Sequence, residues 1–119
     1  MARVLIAGAD WQFRALVRAQ LLEEGIEVEA YETVRDALNG LRDLNALPAL
    51  LVIDLLASPN PRAELRLLAK WARLLPVWIL IGHQLAVGKE TGEAGAERVL
   101  YRPVEVGELV KAIKQRIGW

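Results

Sequence analysis

Leu50-Leu51-Val52-Ile53-Asp54, entered through Pro48 and left through Ser58-Pro59, is the stretch on which the fold of this chain turns. Four consecutive apolar residues, two of them β-branched, fit a strand buried on both faces, as the central strand of a parallel sheet is. A carboxylate follows where that strand ends. Ligand and reaction sites of open α/β sheets lie in the crevice outside the carboxyl ends of the strands, so position alone makes Asp54 a candidate functional residue.

Working outward, four more short apolar runs alternate with helical patterns. Arg3 to Ala7 predicts a strand that stops in a turn at Gly8-Ala9-Asp10, with Asp10 as the N-cap of a helix. The apolar positions Phe13, Leu16, Val17 and Leu21 mark that helix, and Gly25 stops it. Glu27 to Tyr31 alternates polar and apolar, the pattern of a strand at a sheet edge. Thr33 caps a second helix with Val34, Ala37, Leu38 and Leu41 on its apolar face. Beyond the central strand, Asn60 and Pro61 open a third helix expected to run to about Leu74. Val77 to Ile81 is a second fully apolar strand, ending at Gly82-His83. The segment from Gln84 to Gly95, with Gly88, Gly92 and Gly95, predicts only a short, loosely held helix. Val99-Leu100-Tyr101 makes a fifth strand closed by Arg102-Pro103, and Val106, Leu109, Val110, Ile113 and Ile117 mark a final amphipathic helix.

Five strands alternating with helices imply one doubly wound α/β domain: a parallel sheet, right-handed crossovers and helices on both faces. The length of 119 residues and 54 % hydrophobic content suit a single core spanning residues 1–119, with no output domain expected. Fifteen acidic and fifteen basic side chains cancel, which gives no electrostatic pull toward nucleic acid or an anionic membrane. The chain has no cysteine, and no apolar run approaches the roughly 20 residues of a membrane span, so a cytoplasmic location is expected. The turn Gly8-Ala9-Asp10-Trp11 matches neither dinucleotide nor P-loop fingerprints.

The order of elements, the aspartate ending the third strand with a proline soon after, Gly95-Ala96 before the fifth strand, Arg102-Pro103 ending it and the Val104 to Leu109 opening of the last helix together resemble the receiver domain of two-component response regulators. The resemblance spans the whole chain and implies a flavodoxin-like sheet of order 2-1-3-4-5. It makes Asp54 the equivalent of the aspartate that accepts a phosphoryl group from a histidine kinase. It also implies a cis Arg102-Pro103 bond.

The same resemblance exposes departures. The acidic pair that holds Mg²⁺ in the family aligns with Gly8-Ala9, and Asp10, one residue further on, is read first as a helix cap and only then as a displaced metal ligand. The hydroxyl residue ending the fourth strand is Ile81, which donates no hydrogen bond, and the inward-turning aromatic of the fifth strand is Val99. The family's lysine is Arg102, a planar fork rather than a point charge. Asp54 is then expected as the counter-ion of Arg102, an ion pair whose loss of one partner destabilises the fold by a few kcal/mol. No metal or other cofactor is expected; Asp10 and Asp54 would be the Mg²⁺ ligands under the alternative.

Three functional readings follow. The first is a pseudo-receiver: a protein-interaction module of signal transduction, not an enzyme, that binds a histidine kinase, another regulator or a second copy of itself through a face running from Gln84 to the end. The second is a phosphoacceptor of a phosphorelay using Asp54 with Mg²⁺. The third is a small-molecule sensor whose crevice, lined by Ile81, Trp11 and Ala9, has become apolar. His83, the only histidine, is expected to be solvated; Trp71 and Trp78 are expected in the core; Trp11 is a candidate to cover the crevice; and Trp119 is either an interface anchor or packs on the last helix.

Overall fold

A computed structural model describes residues 3–82 and 94–119. In chain order the elements are β1 (Arg3–Gly8), α1 (Trp11–Glu23), β2 (Glu27–Tyr31), α2 (Val34–Arg42), β3 (Leu50–Asp54), α3 (Pro61–Leu68), a 3₁₀ turn (Trp71–Arg73), β4 (Val77–Gly82), β5 (Arg98–Arg102) and α4 (Val106–Ile117). The strands form one sheet in the order β2-β1-β3-β4-β5, every pair parallel. This is the doubly wound sheet read from the alternation of elements, in the flavodoxin-like order that the resemblance implies. The expected helix from Gln84 and the residue His83 fall outside the described residues, Ala94 and Gly95 excepted.

The twofold periodicity of a strand sorts its side chains into two layers. Val4, Ile6, Leu50, Val52, Trp78 and Leu80 face one side, where Phe13, Val17 and Leu21 of α1 and Leu109, Val110 and Ile113 of α4 cover them. Leu5, Ala7, Leu51, Ile53, Val77, Ile79 and Ile81 face the other, covered by α2 and α3. All of β3 is buried, as its unbroken apolar run demands. The caps form as the sequence predicts: Asp10, Thr33 and Asn60 accept hydrogen bonds from the N–H groups of Phe13, Asp36 and Ala63 at 3.3, 3.1 and 3.1 Å.

Two local expectations are corrected. Leu16, placed with the apolar set of α1, is 56 % exposed, because the helix turns only Phe13, Val17 and Leu21 onto the sheet. The third helix does not reach Leu74. Its α-helical part ends at Leu68, and a 3₁₀ turn over Trp71–Arg73, closed by Leu74 N–H on the Trp71 carbonyl at 2.8 Å, brings Leu75 into the core. Trp78 is buried and Trp71 packs half-buried against the α2–α3 layer. The Trp119 indole N–H donates to the Glu24 carbonyl at 2.9 Å, beside the Gly25 turn between α1 and β2.

Candidate functional site

The site lies at the carboxyl end of the sheet, and strand alternation decides which side chains meet there. Leu50 and Val52 face α1 and α4, so Asp54 continues that row; Leu100 does the same in β5, so Arg102 points to the same side. Arg102 pairs in register with Gly82 at the end of β4, and its long side chain reaches back over that strand. Arg102 Nη1 donates to Asp54 Oδ2 at 2.6 Å, and Nη2 donates to Asp10 Oδ2 at 3.0 Å. The guanidinium carbon lies 3.9 Å from the centroid of the Phe13 ring.

Every oxygen of the two carboxylates is therefore engaged. Asp10 Oδ1 caps α1 through Phe13 N–H, and Asp54 Oδ1 accepts the Leu56 N–H at 3.1 Å. The Asp54 side chain is 3 % exposed, that of Arg102 13 % and that of Asp10 27 %. Burial pushes the Asp54 carboxyl above the usual carboxylate range, and Arg102 and the Leu56 N–H offset only part of that. Burial acts in the same sense on Asp10, but there the Arg102 hydrogen bond and the Phe13 N–H prevail and hold the carboxyl below its usual value. An unlooked-for cation, Arg14, donates from Nη1 to the Gly8 carbonyl at the rim.

The expected ion pair of Asp54 with Arg102 forms. Asp10, read first as a cap, caps α1 and also faces the crevice. Gly8 and Ala9 offer no carboxylate, and Gly8 has no room for one: a Cβ built on it would stand 2.9 Å from Asp54 Cβ, its register partner. Ile81 does not line the crevice. It is fully buried in the α2–α3 layer, against which Val99 also packs, so the two switch-equivalent positions hold apolar contacts on the opposite face from Arg102. Trp11, the candidate to cover the crevice, is 63 % exposed, and the ring against the guanidinium is that of Phe13. Phe13 was legible only as a core position of α1, and Arg14 carried no signal, because both act on partners that the chain order does not reveal. The Arg102-Pro103 bond is cis, as the resemblance implies.

A Mg²⁺ ion does not fit this arrangement. The two acids that would hold it each give an oxygen to one guanidinium, and among the described residues no group of three or more histidine, cysteine, aspartate or glutamate side chains could hold a metal.

The chain thus carries a five-stranded, doubly wound sheet with an aspartate and a basic residue facing each other at its carboxyl end. No family model and no curated protein matches the sequence. Solved structures do match. The chain is similar to the Francisella response regulator 1452 receiver domain (TM-score 0.79, 22 % identity, 99 % of this chain and 98 % of that one). It is similar to a receiver domain protein of Clostridium thermocellum (TM-score 0.79, 22 % identity, 99 % and 95 % covered) and to a CheY-like one of Methanospirillum hungatei JF-1 (TM-score 0.78, 23 % identity, 99 % and 94 % covered). The chain has the response regulator receiver fold.

Proposed function

We propose that this chain is a protein-interaction module of signal transduction, a pseudo-receiver that acts without phosphorylation of Asp54 and without catalysis. One observation carries the reading: the acceptor-equivalent carboxylate is already neutralised from within the chain by Arg102, with both of its oxygens engaged. Phosphoryl transfer to a carboxylate needs cations aimed at the incoming charge and an accessible acceptor oxygen. Here the cation is spent on the acceptor itself, Gly8 and Ala9 stand where the resemblance expects metal-binding acids, and Ile81 and Val99 supply neither hydroxyl nor aromatic swing.

The partner in this reading is a protein, whether a histidine kinase, another regulator or a second copy, met in the cytoplasm. Among the described residues no helix is long and apolar enough to cross a membrane. The test is intact mass after incubation with Mg²⁺ and acetyl phosphate, with Asp54→Asn as control. No added phosphate in either protein is the expected result. A gain of one phosphate that disappears in Asp54→Asn overturns the proposal and makes the chain a phosphoacceptor.

A further inference from the structure

We infer that the Arg102 guanidinium is the resident cation of this crevice, seated between Asp10 and Asp54 where a divalent ion would sit, and that it keeps a two-carboxylate cation site closed. The inference rests on the metal-free crevice just proposed, but it makes a separate statement about what the chain becomes without its own cation.

The geometry carries it. Two carboxylates from distant parts of the chain, one capping α1 and one ending β3, turn one oxygen each toward the same guanidinium, at 3.0 and 2.6 Å. Their other oxygens are fixed by the Phe13 and Leu56 N–H groups, so both carboxylates are held in orientation by bonds that do not involve Arg102. Removing the guanidinium thus frees two aimed oxygens at one place and leaves two negative charges uncompensated. A hexacoordinate ion such as Mg²⁺ or Mn²⁺ commonly takes one or two carboxylates at about 2 Å and keeps water in its remaining positions, so two such oxygens suffice for a site. While Arg102 is present, an approaching dication meets a unit positive charge within a few ångströms. The Phe13 ring, 3.9 Å from the guanidinium carbon, and the two carboxylates hold the guanidinium in place on α1.

The experiment uses the full chain and Mn²⁺ as a paramagnetic probe in amide-resolved spectra, with wild type and Arg102→Gln compared. Wild type is expected to show no localised broadening, whereas Arg102→Gln should lose the amide signals around Gly8 to Asp10 and Asp54 to Leu56 at Mn²⁺ concentrations lower by about tenfold or more. Mg²⁺ should restore those signals by competition, and the double variant with Asp54→Asn should lose the effect. Localised broadening of wild type at the same Mn²⁺ concentration as the variant overturns the inference, as does a folded Arg102→Gln that shows none. A second readout needs no variant: the Arg102 guanidinium protons in wild type should give separate, slowly exchanging signals with cross-peaks to the Phe13 ring. A freely rotating guanidinium overturns the inference whether or not the variant folds. Phosphate gain from acetyl phosphate, read by mass, tests the proposed function alone, so the two can fail independently.

Discussion

Arg102→Ala probes the clamp where most of its free energy lies. The variant strips the counter-ion from Asp54, which is 3 % exposed, and breaking a buried ion pair by removing one partner costs about 3–5 kcal/mol. The contact with Asp10, at 27 % exposure, adds at most about 1 kcal/mol, and the stack on Phe13 adds about 1 kcal/mol. Asp54 limits the loss by taking up a proton, which its burial already favours. The expected net cost is therefore about 3–5 kcal/mol at neutral pH, against a total stability of about 6–18 kcal/mol for a chain of this length. Asp54→Asn should cost only about 1–2 kcal/mol, because the amide still accepts from Leu56 N–H and Arg102 keeps Asp10. Urea unfolding followed in parallel by tryptophan fluorescence and far-ultraviolet circular dichroism measures both, and coincident curves justify the two-state extrapolation. A loss below about 1 kcal/mol for Arg102→Ala, or an Asp54→Asn cost equal to it, would refute the view that a buried charge is being neutralised.

Three further outcomes follow from single positions. Gly8→Asp, which places an acid in the turn after β1, should lose about 1–3 kcal/mol and gain no Mg²⁺ stabilisation, because its Cβ would stand 2.9 Å from Asp54 Cβ; a raised melting temperature in Mg²⁺ would contradict this. Ala57, three residues past Asp54, has φ +66°, a conformation that glycine adopts without steric cost, so Ala57→Gly should raise stability by about 0.5–1 kcal/mol in the same urea assay; a loss would show that the Cβ packs usefully. The acid limb should respond in opposite senses at two carboxylates. Hydrogen bonds from Arg116 and Trp78 hold Glu97 below its usual value, so its contribution is present above the ordinary carboxylate range and is lost as pH falls through the lowered value. Burial raises Asp54, so folding gains from its protonation as pH falls through the raised value. Melting temperatures between about pH 3 and pH 7 should therefore fall less steeply on acidification in Glu97→Gln than in wild type, and more steeply in Asp54→Asn. Parallel profiles for all three proteins would count against these assignments.

The alternation of apolar runs with helical patterns made the parallel sheet legible, and the resemblance supplied its order. Unbroken apolar runs at Leu50–Ile53 and Val77–Ile81 fit strands covered on both faces, and the alternation at Glu27–Tyr31 fits an edge. Caps were legible for the same reason: a short polar side chain bonds an N–H three residues on, so Asp10, Thr33 and Asn60 declare their helices locally. The pairing of Asp54 with Arg102 was legible too, but only because a resemblance aligned the two strand ends. What lies beyond local reach was decided by the tertiary structure. Asp10 serves both the cap and Arg102, which is 92 positions away, and a cap signal says nothing about the free oxygen of the same carboxylate. Ile81 turns from the crevice into the opposite layer because strand parity, set by its partners across the sheet, places it there. Phe13 reads as one more core residue of a helix, and only the folding of β5 beside β4 brings a guanidinium onto its ring. Short-range hydrogen bonding and periodicity are properties of neighbouring residues, whereas the clamp is made by three segments that meet only when the sheet closes over its core.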